Sequence, residues 1–412
     1  MPLSISNQIR TQRAILFVTI IFFSTHGALG QQHQHITIKG EVRDAMSKAP
    51  LTLVHVKIKN KPIGVPTNEE GKFALHLSGT AVNDSILISH LGYVSKTLPM
   101  QALLQQGFHT ILLSKDTLYL QEIVVKDLDP EGIVKAVAGR LKENYATTPF
   151  EMEGFYRNAY KELDTYVRQY QAAFTGFDAN FLNRNGLTVG IIKKNISRDF
   201  RKFKWRQVEG NAPWHYLWKI RRQLDYFFSG KKYQKYEIAV EEVDSFEGEE
   251  VYKLQFVLKD TTERITVSQA HVRARDNAVL QISGETKIVD PKKFNLGDSL
   301  VMAYMGGSIL VKYVNYNGKM YPSYSRSQYQ HTVYNGQSEA VGGFDMYEEV
   351  IIHEIRSPSI NKNKKAFLLA LEARRQELPS DSVFWKQYNL PVETALSRAI
   401  AKDLEAWESG VK

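Results

Sequence analysis

The sequence predicts a mainly β protein with helices: a small seven-stranded Ig/transthyretin-like sandwich, then a larger α+β domain on a curved antiparallel sheet. Three observations predict it. Short runs of alternating polarity recur from Ile36 to Lys126, separated by Asn, Asp, Gly and Pro, the spacing of an antiparallel sandwich. A second series of longer β-patterned runs extends from Tyr236 to Arg356. Between and after these series, apolar residues recur at helical spacing.

The first thirty residues read as a signal peptide. Arg10 and Arg13 precede the apolar run Ala14–Phe23, which is too short for the ~20 residues that span a bilayer. Ala28 and Gly30 occupy the −3 and −1 positions of a cleavage site before Gln31. The alternative is an uncleaved N-terminal anchor. The expected product is therefore exported, to the periplasm or the outer membrane of a bacterial cell. The chain has no cysteine, which excludes disulfides, thiolate metal sites, a thiol nucleophile and an acylated lipoprotein cysteine. The net charge is +9, and removing two arginines and no acid with the leader lowers it to +7. For an exported protein such a balance favours anionic envelope surfaces over nucleic acid as a partner.

The sandwich is expected over residues 31–127. Its runs are Ile36–Arg43, Leu53–Lys59, Lys72–Leu77, Ser85–His90, Val94–Leu98, His109–Leu113 and Leu120–Lys126. Alternation such as Ile36, Ile38, Gly40, Val42 gives each strand one buried face. The order KGEVRD, PLTLVHVKI, PTNEEGKFALHL, ISHLGYVSKTL resembles the carboxypeptidase-regulatory-like family. Thr67, Asn68, Gly71 and Phe73 match its Thr-(Asp/Asn)-x-x-Gly-x-Phe turn, and Gly92 and Tyr93 match its Gly-Tyr pair. The resemblance implies a fold, not a catalyst. The module accompanies zinc carboxypeptidases, but the ligands of such an enzyme are missing: HEIR at His353–Arg356 lacks the second histidine and falls in a β run. It also precedes the plug of outer-membrane transporters, and Leu120–Val125 (LQEIVV) resembles the box that follows it there. What comes next has neither a plug-like pattern nor the many ~10-residue strands of a large barrel.

The second domain is expected over residues 128–412. Asp129-Pro130 opens a helix with Ile133, Val134, Val137 and Leu141 on one stripe. The extended runs Phe150–Ala159 and Tyr166–Phe174 follow, and Phe155-Tyr156-Arg157 is similar to a strand in relatives of this family that carry no transporter. A basic helical insert is expected over about 184–235, with fourteen basic residues against Asp199, Glu209 and Asp225. Pro213 starts a helix whose buried stripe is Leu217, Ile220, Leu224, Phe227 and Phe228. The β runs from Tyr236 to Arg356 have short polar connections and read as a meander. EVYKLQFVL followed by QAHVRARDNAVLQISGE resembles the half-barrel sheets of bacterial lipoprotein-sorting carriers. Two helices, Lys365–Glu377 and Pro391–Trp407, end the chain, the latter striped by Leu396, Ile400, Leu404 and Trp407.

No Gly-x-Ser-x-Gly elbow, phosphate loop or dinucleotide turn is present, so no catalytic residue, cofactor or metal ligand is assigned. Glu241, Glu242, Glu247, Glu249 and Glu250 crowd one hairpin tip and read as solubility. The candidate site is a basic, aromatic surface for anionic lipid or an acidic partner, Lys193, Lys194, Arg198, Arg201, Lys202, Lys204 and Arg206; the alternative is a helical insert whose aromatics pack and whose charges are solvated. The expected function is a non-enzymatic envelope protein that binds a protein, lipid or glycan partner or an apolar ligand, with peripheral membrane contact. A hydrolase or peptidase with an inconspicuous site and a purely structural assembly module are the alternatives.

Overall fold

The computed structural model describes residues 35–78, 83–105, 107–116, 128–183, 185–204, 212–297, 299–357 and 363–411. The expected signal peptide, the LQEIVV box and Arg206 lie outside them.

The sandwich packs the three-stranded sheet β4-β1-β7 on the four-stranded sheet β3-β2-β5-β6. Its strands are β1 (His35–Asp44), β2 (His55–Ile58), β3 (Gly64–Pro66), β4 (Lys72–Ser78), β5 (Ser85–Ser89), β6 (Lys96–Pro99) and β7 (His109–Leu113), with a short helix α1 (Met100–Leu104). The alternating residues do meet inside: Val42, Val54, Val56, Leu75, Ile86 and Ile88 are fully buried. The family turn holds as expected. Asn68 Oδ1 accepts the amides of Glu70 and Lys72 at 2.9 and 2.8 Å. Gly71 sits at φ +74°, and a Cβ there would lie 2.6 Å from the Val42 carbonyl, so only glycine fits. Phe73 fills the core at 2% exposure. The expected strand at 120–126 lies outside the described residues, and β3, which sequence reading passed over, brings the described sandwich to seven strands.

The large sheet has eleven strands: β8 (Phe150–Glu162), β9 (Thr165–Asp178), β10 (Leu187–Ile196), β11 (Tyr236–Phe246), β12 (Glu249–Leu258), β13 (Arg264–Arg273), β14 (Ala278–Ile288), β15 (Lys293–Gly297), β16 (Leu300–Tyr316), β17 (Lys319–Tyr334) and β18 (Ala340–Arg356). Their order is β10-β9-β8-β18-β17-β16-β14-β13-β12-β11, with β15 beside β16. All pairs are antiparallel. The path is open, with β10 and β11 as its ends.

Helices α2 (Pro130–Asn144) and α3 (Ala212–Phe228) cover one face, here the inner face, while α4 (Lys364–Gln376), α5 (Asp381–Gln387), α6 (Ala395–Glu408) and the sandwich cover the other. The sheet curls around α3. A helix of 17 residues is ~25 Å long, yet α3 packs against the edge strand β10 and its Phe227 ring lies 5.5 Å from Tyr236 of β11, the strand at the sheet's other edge. Ten flat strands would hold those ends ~43 Å apart at ~4.8 Å per strand. Aromatics fill the enclosed space: Tyr145, Phe181, Tyr313, Phe228 and Phe256 are all buried there. Their hydroxyls are satisfied by backbone, Tyr145 Oη donating to Val279 O at 3.0 Å and Tyr313 Oη to Ile220 O at 2.8 Å, as burial of a polar tip requires.

One expectation fails. The basic insert is not helical throughout: Leu187–Ile196 is the edge strand β10, residues 197–204 are irregular, and among the described residues helix is confined to α3 and a 3-10 turn at Lys232–Lys235. Gly190 and Ile192, two residues apart, face Leu371 of helix α4 on the outer side, while Leu187 joins the inner cluster, so the strand is covered from both sides. A strand beside a ready-made neighbour, β9, needs less intrinsic pattern than an isolated one.

Candidate functional site

The basic cluster splits. Lys194, Arg198, Lys202 and Lys204 are exposed, and Arg198 and Lys202 lie over the rings of Phe200 and Phe203 at 5.5 and 5.3 Å. Lys193 is engaged, pairing with Asp381 at 2.6 Å and donating to Pro379 O at 2.9 Å. Arg201 faces inward, contrary to its assignment to the surface. It is 6% exposed, bonds both oxygens of Asp199 at 2.9 Å and sits 4.7 Å from the Tyr160 ring. Burial pushes the Asp199 carboxyl up, but the bonds from Arg201 and the charge of Arg168 outweigh it and hold it at about 2. Arg201 is thus a staple of the loop. Farther along, α3 exposes Trp214 and places Arg222 5.0 Å from the Trp218 ring.

A groove of about 530 Å³ crosses the outer face. Its floor is one cross-strand row, Ala159–Tyr347–Gln328–Ser308–Glu285–Val267, in which each residue faces the next in the antiparallel registers. A second row, two residues on, adds Lys161, Asp345, Gln330, Lys287 and Ile265, and Leu396 of α6 closes one end. The side chains of Gln328, Gln330, Glu285 and Lys287 are exposed and bond no other described residue. Ile265 and Val267 are 42% and 38% exposed on the same wall. Burial pushes the Asp345 carboxyl up, against the pull of Lys161. Sequence reading missed this groove: it is assembled from seven strands, and each contributes one to three unremarkable residues.

Two neighbouring glutamates of β18 point to opposite faces. On the outer face, Arg157 Nη2 donates to Glu349 Oε2 at 2.6 Å and Tyr324 Oη to Oε1 at 2.9 Å. On the inner face, Lys219 of α3 donates to Tyr329 Oη at 2.7 Å and approaches Glu348 at 3.4 Å. Burial pushes Glu348 well above the usual carboxylate range and draws Lys219 down to about 7, both toward neutrality. Elsewhere on the outer side, His353 is buried edge-on to Tyr388 at 5.0 Å. Among the described residues no three His, Asp or Glu side chains gather as metal ligands. No described helix is long and apolar enough to cross a membrane.

Fold and family agree for the first module. Residues 38–125 match the CarboxypepD_reg-like domain, so the chain carries that domain ahead of the curved sheet. No curated protein matches the chain. Among solved structures it is similar to an outer membrane lipoprotein-sorting protein domain from Vibrio parahaemolyticus, at 9% identity and a TM-score of 0.25, over 59% of this chain and 100% of that one. A LolA superfamily protein from Nitrosomonas europaea follows at 10% identity and TM-score 0.20, over 57% of this chain and 95% of that one. The Pseudomonas aeruginosa MucA/MucB complex shows 9% identity and TM-score 0.20, over 55% and 99%. At such scores the likenesses carry no argument about this chain.

Proposed function

We propose that this is a non-enzymatic protein of the cell envelope that binds an elongated amphipathic ligand or partner segment along the outer-face groove. The groove itself supports the reading. It offers unengaged amide, carboxylate and ammonium groups beside an exposed aliphatic wall, the mixture that fixes orientation while burying apolar surface. On the inner face the described aromatic side chains pack against one another instead. The placement in the envelope rests on the N-terminal leader pattern. Native mass spectrometry of protein purified from its own envelope should reveal a bound species that Ile265→Glu with Val267→Glu abolishes at unchanged melting temperature. The same species on the variant, or none on either, removes the groove as the site. The enzymatic alternative has one concrete focus, the Lys219–Glu348 pair. Hydrolysis of ester or peptide substrates that Glu348→Gln abolishes would replace the binding reading.

A further inference from the structure

The sandwich is not tethered loosely. Pro62 O accepts the Ile355 amide at 3.0 Å beside the bulge in β18. His76 and Asn389 exchange two hydrogen bonds, at 2.8 and 3.1 Å. Glu69 and Glu70 pair with Arg326 and Arg398 at 3.3 and 2.5 Å. The β11–β12 hairpin tip takes part as well: Glu247 accepts from Lys57 and from Ser89 Oγ, each at 3.0 Å, so this acid is a joint residue and not merely a solubilising one.

At the centre of this joint lies a cavity of about 40 Å³, bordered by Leu53, His55 and Ser89 of the sandwich and by Lys312, Ser323 and Tyr324 of the sheet. That exceeds the ~10–15 Å³ one water needs. An ammonium has three donors. Lys312 spends one on Leu53 O at 2.9 Å and forms no ion pair with a described carboxylate. The acids bonded to the cavity's own border residues are committed, Glu349 to Arg157 and Tyr324, Glu247 to Lys57 and Ser89. Desolvation alone acts on Lys312 and draws it down to about 8, while its charge acts on His55 and His90 of the sandwich. Lys57, Lys253 and Glu247 are the other charged groups around these histidines and His271. A cation largely withdrawn from water without a counter-charge is costly.

We propose that this joint binds one small monovalent anion, a halide or a single carboxylate group, against the Lys312 ammonium, and that the anion fastens the sandwich to the sheet. An anion that binds only the closed joint stabilises it by mass action. The test uses the full chain in gluconate buffer, whose anion is too large for the cavity, with chloride or formate added at constant ionic strength. The melting temperature should rise saturably with chloride, formate or both, and Lys312→Met should abolish the rise. A response to formate alone would assign the site to a carboxylate. Crystals of the unmodified protein grown in bromide should show an anomalous peak in contact with Lys312 Nζ if the halide is the occupant, which keeps the test open should the variant not fold. Equal melting in gluconate, chloride and formate would overturn the proposal. So would a rise that Lys312→Met retains, or a halide-dependent rise with no bromide at the joint.

Discussion

The two faces of the large sheet are built from the same strands and solve different problems. The inner face is aromatic and closed: Tyr145, Phe181 and Tyr313 lie within 5.5 to 6.3 Å of one another, Phe227 and Phe256 at 4.9 Å. The outer face is joined by ion pairs, backbone bonds and a groove. β8 shows the contrast within one element. Tyr156 enters the inner cluster while Phe155 packs under α4 and α5, so the strand is buried on both sides, as a central strand with two covered faces must be. One face supplies burial that holds the fold; the other assembles separate pieces on it.

Glu349 and Glu348 give the sharpest way to break this comparison. Glu349→Gln leaves Arg157, 4% exposed, without its carboxylate, and should cost ~3–5 kcal/mol, the usual penalty for halving a buried pair. Chemical denaturation measures it, and a loss below ~1 kcal/mol would mean that the outer pair is solvated.

Acid should act chiefly through the outer face. Burial draws His90 to about 3, His271 and His353 to about 4, and on the inner side His331 also to about 4, whereas the unfolded chain takes up protons near ~6.5. Each folded pKa is depressed, so this stability is present above ~6.5 and is lost as pH falls toward the folded values, by up to ~1.4 kcal/mol per pH unit for each histidine. Melting curves from pH 7 to pH 5 should show it, and His353→Phe should flatten the slope. An unchanged slope would remove His353 from the account.

Glu348→Gln should matter far less than its neighbour. Burial already favours the protonated carboxyl, and glutamine keeps its shape, so a change within ~1 kcal/mol is expected at neutral pH. A loss equal to that of Glu349→Gln would show Glu348 to be charged against Lys219. The smallest stability effect belongs to the exposed cluster. Replacing Lys194, Arg198, Lys202 and Lys204 with Ala should move stability by no more than ~0.5 kcal/mol. If the surface meets anionic lipid, the same variant should lose sedimentation with acidic vesicles at low salt, whereas the parent should bind them and release by 0.3 M, where the Debye length falls below ~8 Å. Equal binding of the parent to neutral vesicles would return the cluster to a solvated surface.

Much of the fold was legible where local chemistry decides it. The Asn68–Gly71 turn, the alternation in β1 and the Pro130 and Pro213 helix starts all act within a few residues. Legibility failed where distant residues decide. β10 hides in a lysine-rich stretch because β9 and α4 supply what its own pattern lacks. Arg201 looked like its exposed neighbours, although Asp199 two residues earlier was a sign that it had a partner. Glu247 reads as a solvated acid until Lys57, far away in the chain, is brought against it. The groove and the joint cavity belong to no segment, so no window of sequence contains them.

The pairing of β8 with β18 sets a schedule for folding. Residues 151–162 find their partners at 344–356, nearly two hundred positions later, whereas the other neighbours in this sheet are close in the chain. Until the last strand has left the ribosome, the sheet exists as two separate meanders, each with an unpaired apolar rim. High contact order of this kind slows folding and prolongs exposure of sticky edges. A chain truncated before residue 340 should therefore depend on chaperones and aggregate, while the same chain extended through β18 should fold unaided.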